Sequence, residues 1–294
     1  MTAHFGELLT AMVTPFREDR EVNYEQVRKM ARYLVDNGSD GLVVLGTTGE
    51  VPTLDRKEKL KILQTAVDEV GESAKIVAGT GSYNTAASIE LTEEAEKIGV
   101  DGIMLVTPYY NKPPQEGLYR HFSMIAEHTS LPVMVYNVPG RTSRNIEVKT
   151  LKRLSKVENI RAVKEASGDI NQISEICRVV GDDFYVYSGD DKVTLPLLAV
   201  GGHGVVSVAA HLVGNKIKKM IQTYKQGDVN RAAELNQKLL PVFSGMFLTT
   251  NPIPVKTALN MQGKNVGPVR PPLVNMNESE REVLEDILTK QKLL

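Results

Sequence analysis

The sequence predicts a closed (β/α)8 barrel followed by a C-terminal helical appendage, and three observations carry that prediction. Short apolar, β-rich runs alternate with amphipathic helical patterns from the start of the chain to about residue 225, which calls for a parallel sheet joined by helical crossovers. Eight such units in this length suit a closed barrel, which typically occupies about 250 residues, better than an open doubly wound sheet. A dinucleotide-binding sheet needs a glycine fingerprint after its first strand, and here that strand leads into Thr14-Pro15-Phe16-Arg17.

In chain order the expected strands are Leu8 to Val13, Gly41 to Leu45, Lys75 to Ala78, Gly102 to Val106, Pro132 to Tyr136, Ile160 to Lys164, Phe184 to Ser188 and Gly204 to Val208. Between the first and second, Tyr24 to Asp36 carries Val27, Met30, Ala31 and Leu34 at helical spacing, one apolar stripe on a polar helix. Thr85 to Ile98 ends at Gly99, a residue suited to the left-handed conformation that closes a helix. Past Val208 the chain is longer than one closing helix requires, with helical patterns at Asn215 to Gln226, Asn230 to Leu248, Pro254 to Met261 and Ser279 to Gln291. The expected division is therefore a catalytic barrel over residues 1–225 and a helical domain over residues 226–294.

Bulk composition narrows the function. Hydrophobic content of 41% provides for a sizeable core, and 35 basic against 36 acidic side chains give no excess that would attract nucleic acid or an anionic membrane. Cys177 is the only cysteine, so an intramolecular disulfide and a zinc site of several thiolates are excluded; a reducing cytoplasm is the expected compartment. Met1 to Glu7 lack the basic start and apolar stretch of a secretory signal, and no apolar run approaches the length that spans a bilayer. No P-loop, Gly-x-Ser-x-Gly elbow or His-Glu-x-x-His is present.

Active sites of such barrels lie where the strands end, and the residues there are distinctive. They are Gly46-Thr47-Thr48-Gly49-Glu50, Thr107-Pro108-Tyr109-Tyr110-Asn111, Tyr136-Asn137-Val138-Pro139-Gly140-Arg141-Thr142, Lys164-Glu165-Ala166-Ser167 and Ser188-Gly189-Asp190-Asp191. Lys164 stands out because Ile160-Arg161-Ala162-Val163-Lys164 reads as a buried strand, where desolvation lowers an ammonium's pKa and leaves an amine able to attack a carbonyl carbon. Alternation puts Ala162, Lys164 and Ala166 on one face and Met134 and Tyr136 on one face, so with both facing inward the amine and a proton-transferring phenol converge. The glycines and hydroxyls of Gly46-Thr47-Thr48-Gly49 suit a small carboxylate, and the Arg141 guanidinium suits a second one. Asp190 and Asp191 with His203 do not make a metal site, since adjacent side chains on an extended segment diverge and no further ligands follow.

Taken in register with Val163-Lys164-Glu165-Ala166 and Gly201-Gly202-His203-Gly204-Val205-Val206-Ser207, these motifs resemble the pyruvate-dependent class I aldolases of the N-acetylneuraminate lyase and dihydrodipicolinate synthase superfamily. The similarity runs from Thr14-Pro15-Phe16 to Asn251-Pro252-Ile253-Pro254-Val255-Lys256, and the dihydrodipicolinate synthase branch is nearest. The resemblance implies that Lys164 forms a Schiff base with pyruvate, that Tyr136 donates and accepts protons, and that Thr47 and Tyr110 complete a proton relay with it. It further implies that Thr48 holds the pyruvate carboxylate, that Gly189 and Val206 line the pocket, and that Arg141 binds the carboxylate of L-aspartate 4-semialdehyde. The implied reaction condenses those two substrates to 4-hydroxy-tetrahydrodipicolinate, the first committed step towards diaminopimelate and lysine, with no metal and no cofactor beyond the covalent imine. In the family the second tyrosine reaches a neighbouring subunit's site, so a tight dimer is the implied catalytic unit, paired into a homotetramer.

One departure concerns regulation. Where lysine-inhibited members carry a polar group, an asparagine and a glutamate, this sequence has Lys59, Tyr83 and Ala87, a combination that should repel a cationic effector. Two competing readings keep the fold. Neuraminate lyase and the 2-keto-3-deoxy sugar acid aldolases share the lysine and tyrosine but generally lack the arginine; a non-catalytic barrel that senses pyruvate-like acids would have no use for Tyr136, Thr47 and Lys164 together.

Overall fold

The computed structural model describes residues 5–294, and the barrel class expected from the sequence is the architecture it shows. The reading of the first residues as free of a secretory signal falls largely on residues 1–4, outside the described residues. The strands are β1 (Leu8–Ala11), β2 (Gly41–Val44), β3 (Lys75–Gly79), β4 (Gly102–Val106), β5 (Val133–Asn137), β6 (Ile160–Glu165), β7 (Tyr185–Ser188) and β8 (Gly204–Ser207). Each pairs in parallel with the next, and β8 pairs with β1 to close the sheet.

The strands are apolar on both faces, and in the closed sheet those faces become two separate cores. Inside the barrel lie Leu9, Ala11, Val43, Val77, Met104, Met134, Tyr136, Ala162, Tyr187 and Val206. Their alternate neighbours, including Leu42, Val44, Ile103, Val135 and Val163, pack outward against the helices. The inward parity expected for Met134, Tyr136 and Ala162 is thus what the barrel adopts. At the floor, Tyr187 closes the interior by donating its hydroxyl hydrogen to Gly6 O at 2.8 Å.

The outer helices are α1 (Tyr24–Asp36), α2 (Arg56–Val70), α3 (Thr85–Ile98), α4 (Gln115–Ala126), the short turn α5 (Pro139–Thr142), α6 (Val148–Leu154), α7 (Ile170–Val179), α8 (Thr194–Ala199) and α9 (Ala210–Lys225). α1 buries Val27, Met30, Ala31 and Leu34, and its N-cap Asn23 accepts from Gln26 N–H. α3 closes at Gly99 with φ +94°, as its glycine suggested. Three helices follow the barrel: α10 (Val229–Gly245), α11 (Ile253–Met261) and α12 (Glu278–Lys290).

Boundaries shift where backbone chemistry overrides apolar patterning. β2 stops before Leu45, which turns out of the sheet at φ +63°, and β5 starts at Val133 rather than Pro132, which has no N–H for the ladder. The helix expected from Asn215 begins five residues earlier at Ala210, with a kink at Val213 (φ −135°, ψ 29°). Cys177 is a free thiol, partly buried on α7 against the outer core. Among the described residues no helix is long and apolar enough to cross a membrane, and no group of three or more His, Cys, Asp or Glu side chains could hold a metal ion.

Candidate active site

The site forms where β5 and β6 end side by side. In the ladder Tyr136 is the register partner of Lys164, so their inward side chains meet, and the Lys164 Nζ lies 4.2 Å from the centre of the Tyr136 ring. On the outer face of the same two strands the adjacent residues form a lock. Asn137 donates to both Glu165 oxygens, at 3.2 and 2.9 Å, while Ser167 N–H (2.7 Å) and Gln172 (3.3 Å) supply further donors to that carboxylate. Asn137 Oδ1 in turn accepts from Ile146 N–H at 2.9 Å. Fixing Asn137 against Glu165 fixes Tyr136 against Lys164, because neighbours in a strand share one backbone.

Burial is the largest influence on the amine. It pulls the Lys164 pKa from the ordinary 10.5 down to about 7; the Arg141 charge works in the same direction, and Asp191 opposes it. Among the described residues no carboxylate stands within ion-pair distance of Lys164, in contrast to Lys256, the other deeply buried lysine. Lys256 bonds Glu50 at 2.9 Å, Thr14 O at 3.1 Å and Pro268 O at 2.7 Å. Burial lowers the pKa of both lysines, that of Lys256 to about 8 against the opposing pull of its bonded Glu50, and that of Lys164 to about 7. Burial also raises the Tyr136 pKa, partly offset by the Arg141 charge and by hydrogen bonding from Thr47.

Thr47, Tyr136 and Arg141 line one cavity of about 200 Å³, whose remaining wall includes Met104, Val106, Tyr109 and Val138. A larger groove of about 1040 Å³ lies at the opposite, amino-terminal end of the strands and contains none of these residues. Thr47 to Gly49 form a tight helical turn after Gly46, followed by Glu50 at φ +55°. Thr48 is buried, and its Oγ1 accepts from Asn251 Nδ2 at 3.0 Å, which leaves its own hydrogen available for a carboxylate. Arg141 lies on α5 and donates to Asn251 O at 3.3 Å, so a single residue of the C-terminal region steadies both expected carboxylate holders.

Gly189 follows β7 beside Lys164: a Cβ there would stand 3.2 Å from Lys164 Cε and 2.6 Å from Ala166 Cβ. Val206 belongs to the barrel interior. Tyr110 is the one expected site residue that does not join the others within this chain. It is 91% exposed at φ +68° and is not among the residues that line the cavity, unlike Tyr109. Asp191 acts as a clamp, accepting from the Ser207 hydroxyl and from the N–H groups of Val208 (3.1 Å) and Ala209 (3.0 Å), which ties the segment after β7 to the end of β8.

Sequence reasoning assigned no role to Asn251, Glu50, Lys256, Asp191 or the Asn137–Glu165 lock. Lys256 did carry a usable signal, an ammonium amid the apolar Ile253-Pro254-Val255 and Ala258-Leu259, the same signal that singled out Lys164. The other roles arise from contacts across long separations and leave no local pattern.

A closed parallel barrel with an unpaired, buried amine over a phenol at the carboxyl ends of its strands defines an enzyme of the Schiff-base lyase class. The chain belongs to the dihydrodipicolinate synthetase family, whose model matches residues 4–291. It is 58% identical over 294 residues, 100% of each chain, to the 4-hydroxy-tetrahydrodipicolinate synthase of Desulforudis audaxviator. The structure of the Cyanidioschyzon merolae enzyme with lysine bound superimposes with a TM-score of 0.97 at 42% identity, covering 99% of each chain. A structure described as a monomeric dihydrodipicolinate synthase variant gives 0.95 at 40% identity, covering 99% of this chain and 98% of that one.

Proposed function

We infer that this chain condenses pyruvate with L-aspartate 4-semialdehyde to give 4-hydroxy-tetrahydrodipicolinate, the first committed step towards diaminopimelate and lysine. The observation that carries this reading is the buried Lys164 amine held 4.2 Å over the Tyr136 ring. In the proposed mechanism the neutral amine attacks the pyruvate ketone and water is lost, giving an imine that serves as electron sink without a separate cofactor. The substrate methyl then loses a proton, and the enamine attacks the aldehyde carbon of the second substrate. Tyr136 passes the protons, with Thr47 beside it as relay. Thr48 holds the pyruvate carboxylate, Arg141 the carboxylate of the semialdehyde, and Gly189 and Val206 leave space around the imine.

Tyr110 completes the relay in a partner's site. Its exposure and strained backbone suit a side chain presented outward, and the active unit is then a tight dimer, paired into a homotetramer. Sedimentation combined with activity across a dilution series tests this: specific activity falls as the dimer dissociates, and an active monomer would overturn it.

Borohydride reduction in the presence of pyruvate, followed by peptide mass mapping, tests the chemistry. A stable adduct on Lys164 is expected; an adduct elsewhere, or none, refutes the mechanism. Comparing condensation with aspartate semialdehyde against cleavage of sialic acid or keto-deoxygluconate separates this reaction from that of a sister aldolase, and faster sugar-acid cleavage would reassign the substrate.

A further inference from the structure

We propose that the same cavity also decarboxylates a 2-oxo dicarboxylate whose second carboxylate is β to the ketone, of which oxaloacetate is the simplest. The inference rests on the imine-forming role of Lys164 and extends it to a second way of making the same enamine. Removing a proton from the pyruvate methyl needs a base, whereas a carboxylate on that carbon can leave as CO2 and deliver its electron pair directly.

The site has the parts for this. Thr48 and Arg141, both steadied by Asn251, provide two carboxylate holders, matching a substrate with a carboxylate at each end. The cavity that Arg141 lines also includes Met104, Val106 and Val138, apolar groups that remove water from the departing carboxylate, and its volume of about 200 Å³ limits the guest to a small acid. Tyr136 lines the same space and can return the proton.

The steps balance as follows. The Lys164 amine and the ketone, with one proton, form an iminium ion and water. The bond between C3 and the β-carboxylate breaks, CO2 departs, and the electron pair forms the C2–C3 double bond of the enamine as the nitrogen becomes neutral. The Tyr136 phenol protonates C3 and is reprotonated from water. Hydrolysis of the resulting iminium releases pyruvate and restores the amine. The net change is oxaloacetate plus one proton to pyruvate plus CO2.

The test follows oxaloacetate loss and CO2 release in buffer with a chelator to suppress free divalent ions. Wild-type enzyme should exceed buffer alone by about tenfold or more, a barrier difference of at least about 1.4 kcal/mol, and Lys164→Ala should match buffer. Wild-type enzyme inactivated with pyruvate and borohydride should also match buffer, a control that needs no variant to fold. Arg141→Ala should raise KM for oxaloacetate about tenfold, as expected for loss of a substrate-holding contact. If pyruvate and borohydride mark Lys164 but oxaloacetate loss equals the buffer rate, the decarboxylation is overturned and the condensation stands. If Lys164 is not marked, both fall. An unchanged KM in Arg141→Ala removes Arg141 as the holder of the second carboxylate.

Discussion

Gly189→Ala tests how tightly Lys164, the proposed nucleophile, is seated. Carbon atoms pack best at about 3.5–4.0 Å, and the added methyl would stand 2.6 Å from Ala166 Cβ and 3.2 Å from Lys164 Cε. The first contact demands about 1 Å of movement and the second a few tenths of an ångström. Ala166 Cβ is fixed to backbone, so part of the adjustment falls on the lysine stem. Overpacking of this kind costs about 1–3 kcal/mol of stability, and a misplacement approaching 1 Å at a reacting group costs roughly 100-fold in rate. The expected outcome is a roughly 10- to 100-fold loss of condensation rate, read by steady-state kinetics and by the rate of borohydride trapping with pyruvate. Denaturant unfolding should show the stability cost. Adding Ala166→Gly removes the 2.6 Å contact but not the two at 3.2 Å, to Lys164 Cε and Glu165 O, so stability should return more fully than rate. A Gly189→Ala enzyme with rate and unfolding midpoint unchanged would refute the close seating of Lys164.

Because burial brings Lys164 to about pH 7, the rate of pyruvate-dependent trapping should climb through neutrality and level off above it; Arg141→Ala, by removing a charge that lowers this pKa, should move the climb to higher pH. Between about pH 7 and 10.5 the unfolded chain binds a proton at this lysine that the folded chain does not, so its contribution to stability rises with pH across that window. Lys164→Met should therefore gain most over wild type below pH 7 and least near pH 10.5, measured by denaturant midpoints; a pH-independent difference would count against a neutral amine. Lys256→Met takes the ammonium from the buried Glu50 carboxylate, which keeps the Arg270 N–H at 2.8 Å, and should cost about 3–5 kcal/mol in urea unfolding; a loss below about 1 kcal/mol would show that the pair holds little. Millimolar lysine should inhibit turnover weakly or not at all, because Lys59 brings an ammonium, and Ala87 no carboxylate, to positions where the resemblance implies effector contacts; clear inhibition would refute this.

The barrel was legible because eight apolar runs alternate with helical patterns and lack a dinucleotide fingerprint; runs such as Gly102 to Val106 bury every second residue inside and the others under helices. Strand ends were less legible, since Leu45 leaves the sheet through a backbone conformation that its side chain does not advertise. Within the site, Lys164 and Tyr136 could be paired from parity alone. Asn251 could not, because its bond to Thr48 spans 203 positions and depends on how the chain returns after α10. Tyr110 was read through resemblance and not through geometry, and within a single chain it stands apart from the cavity.

The lock between Asn137 and Glu165 lies behind Lys164 and Tyr136, on the side turned to α7, whereas Arg141 lines the cavity and is held by Asn251 of the C-terminal region. In the proposed reaction aim and selectivity would therefore be set by different parts of the protein. A lineage could trade one aldehyde for another by editing the rim, while the amine stays trained on the same carbon from behind.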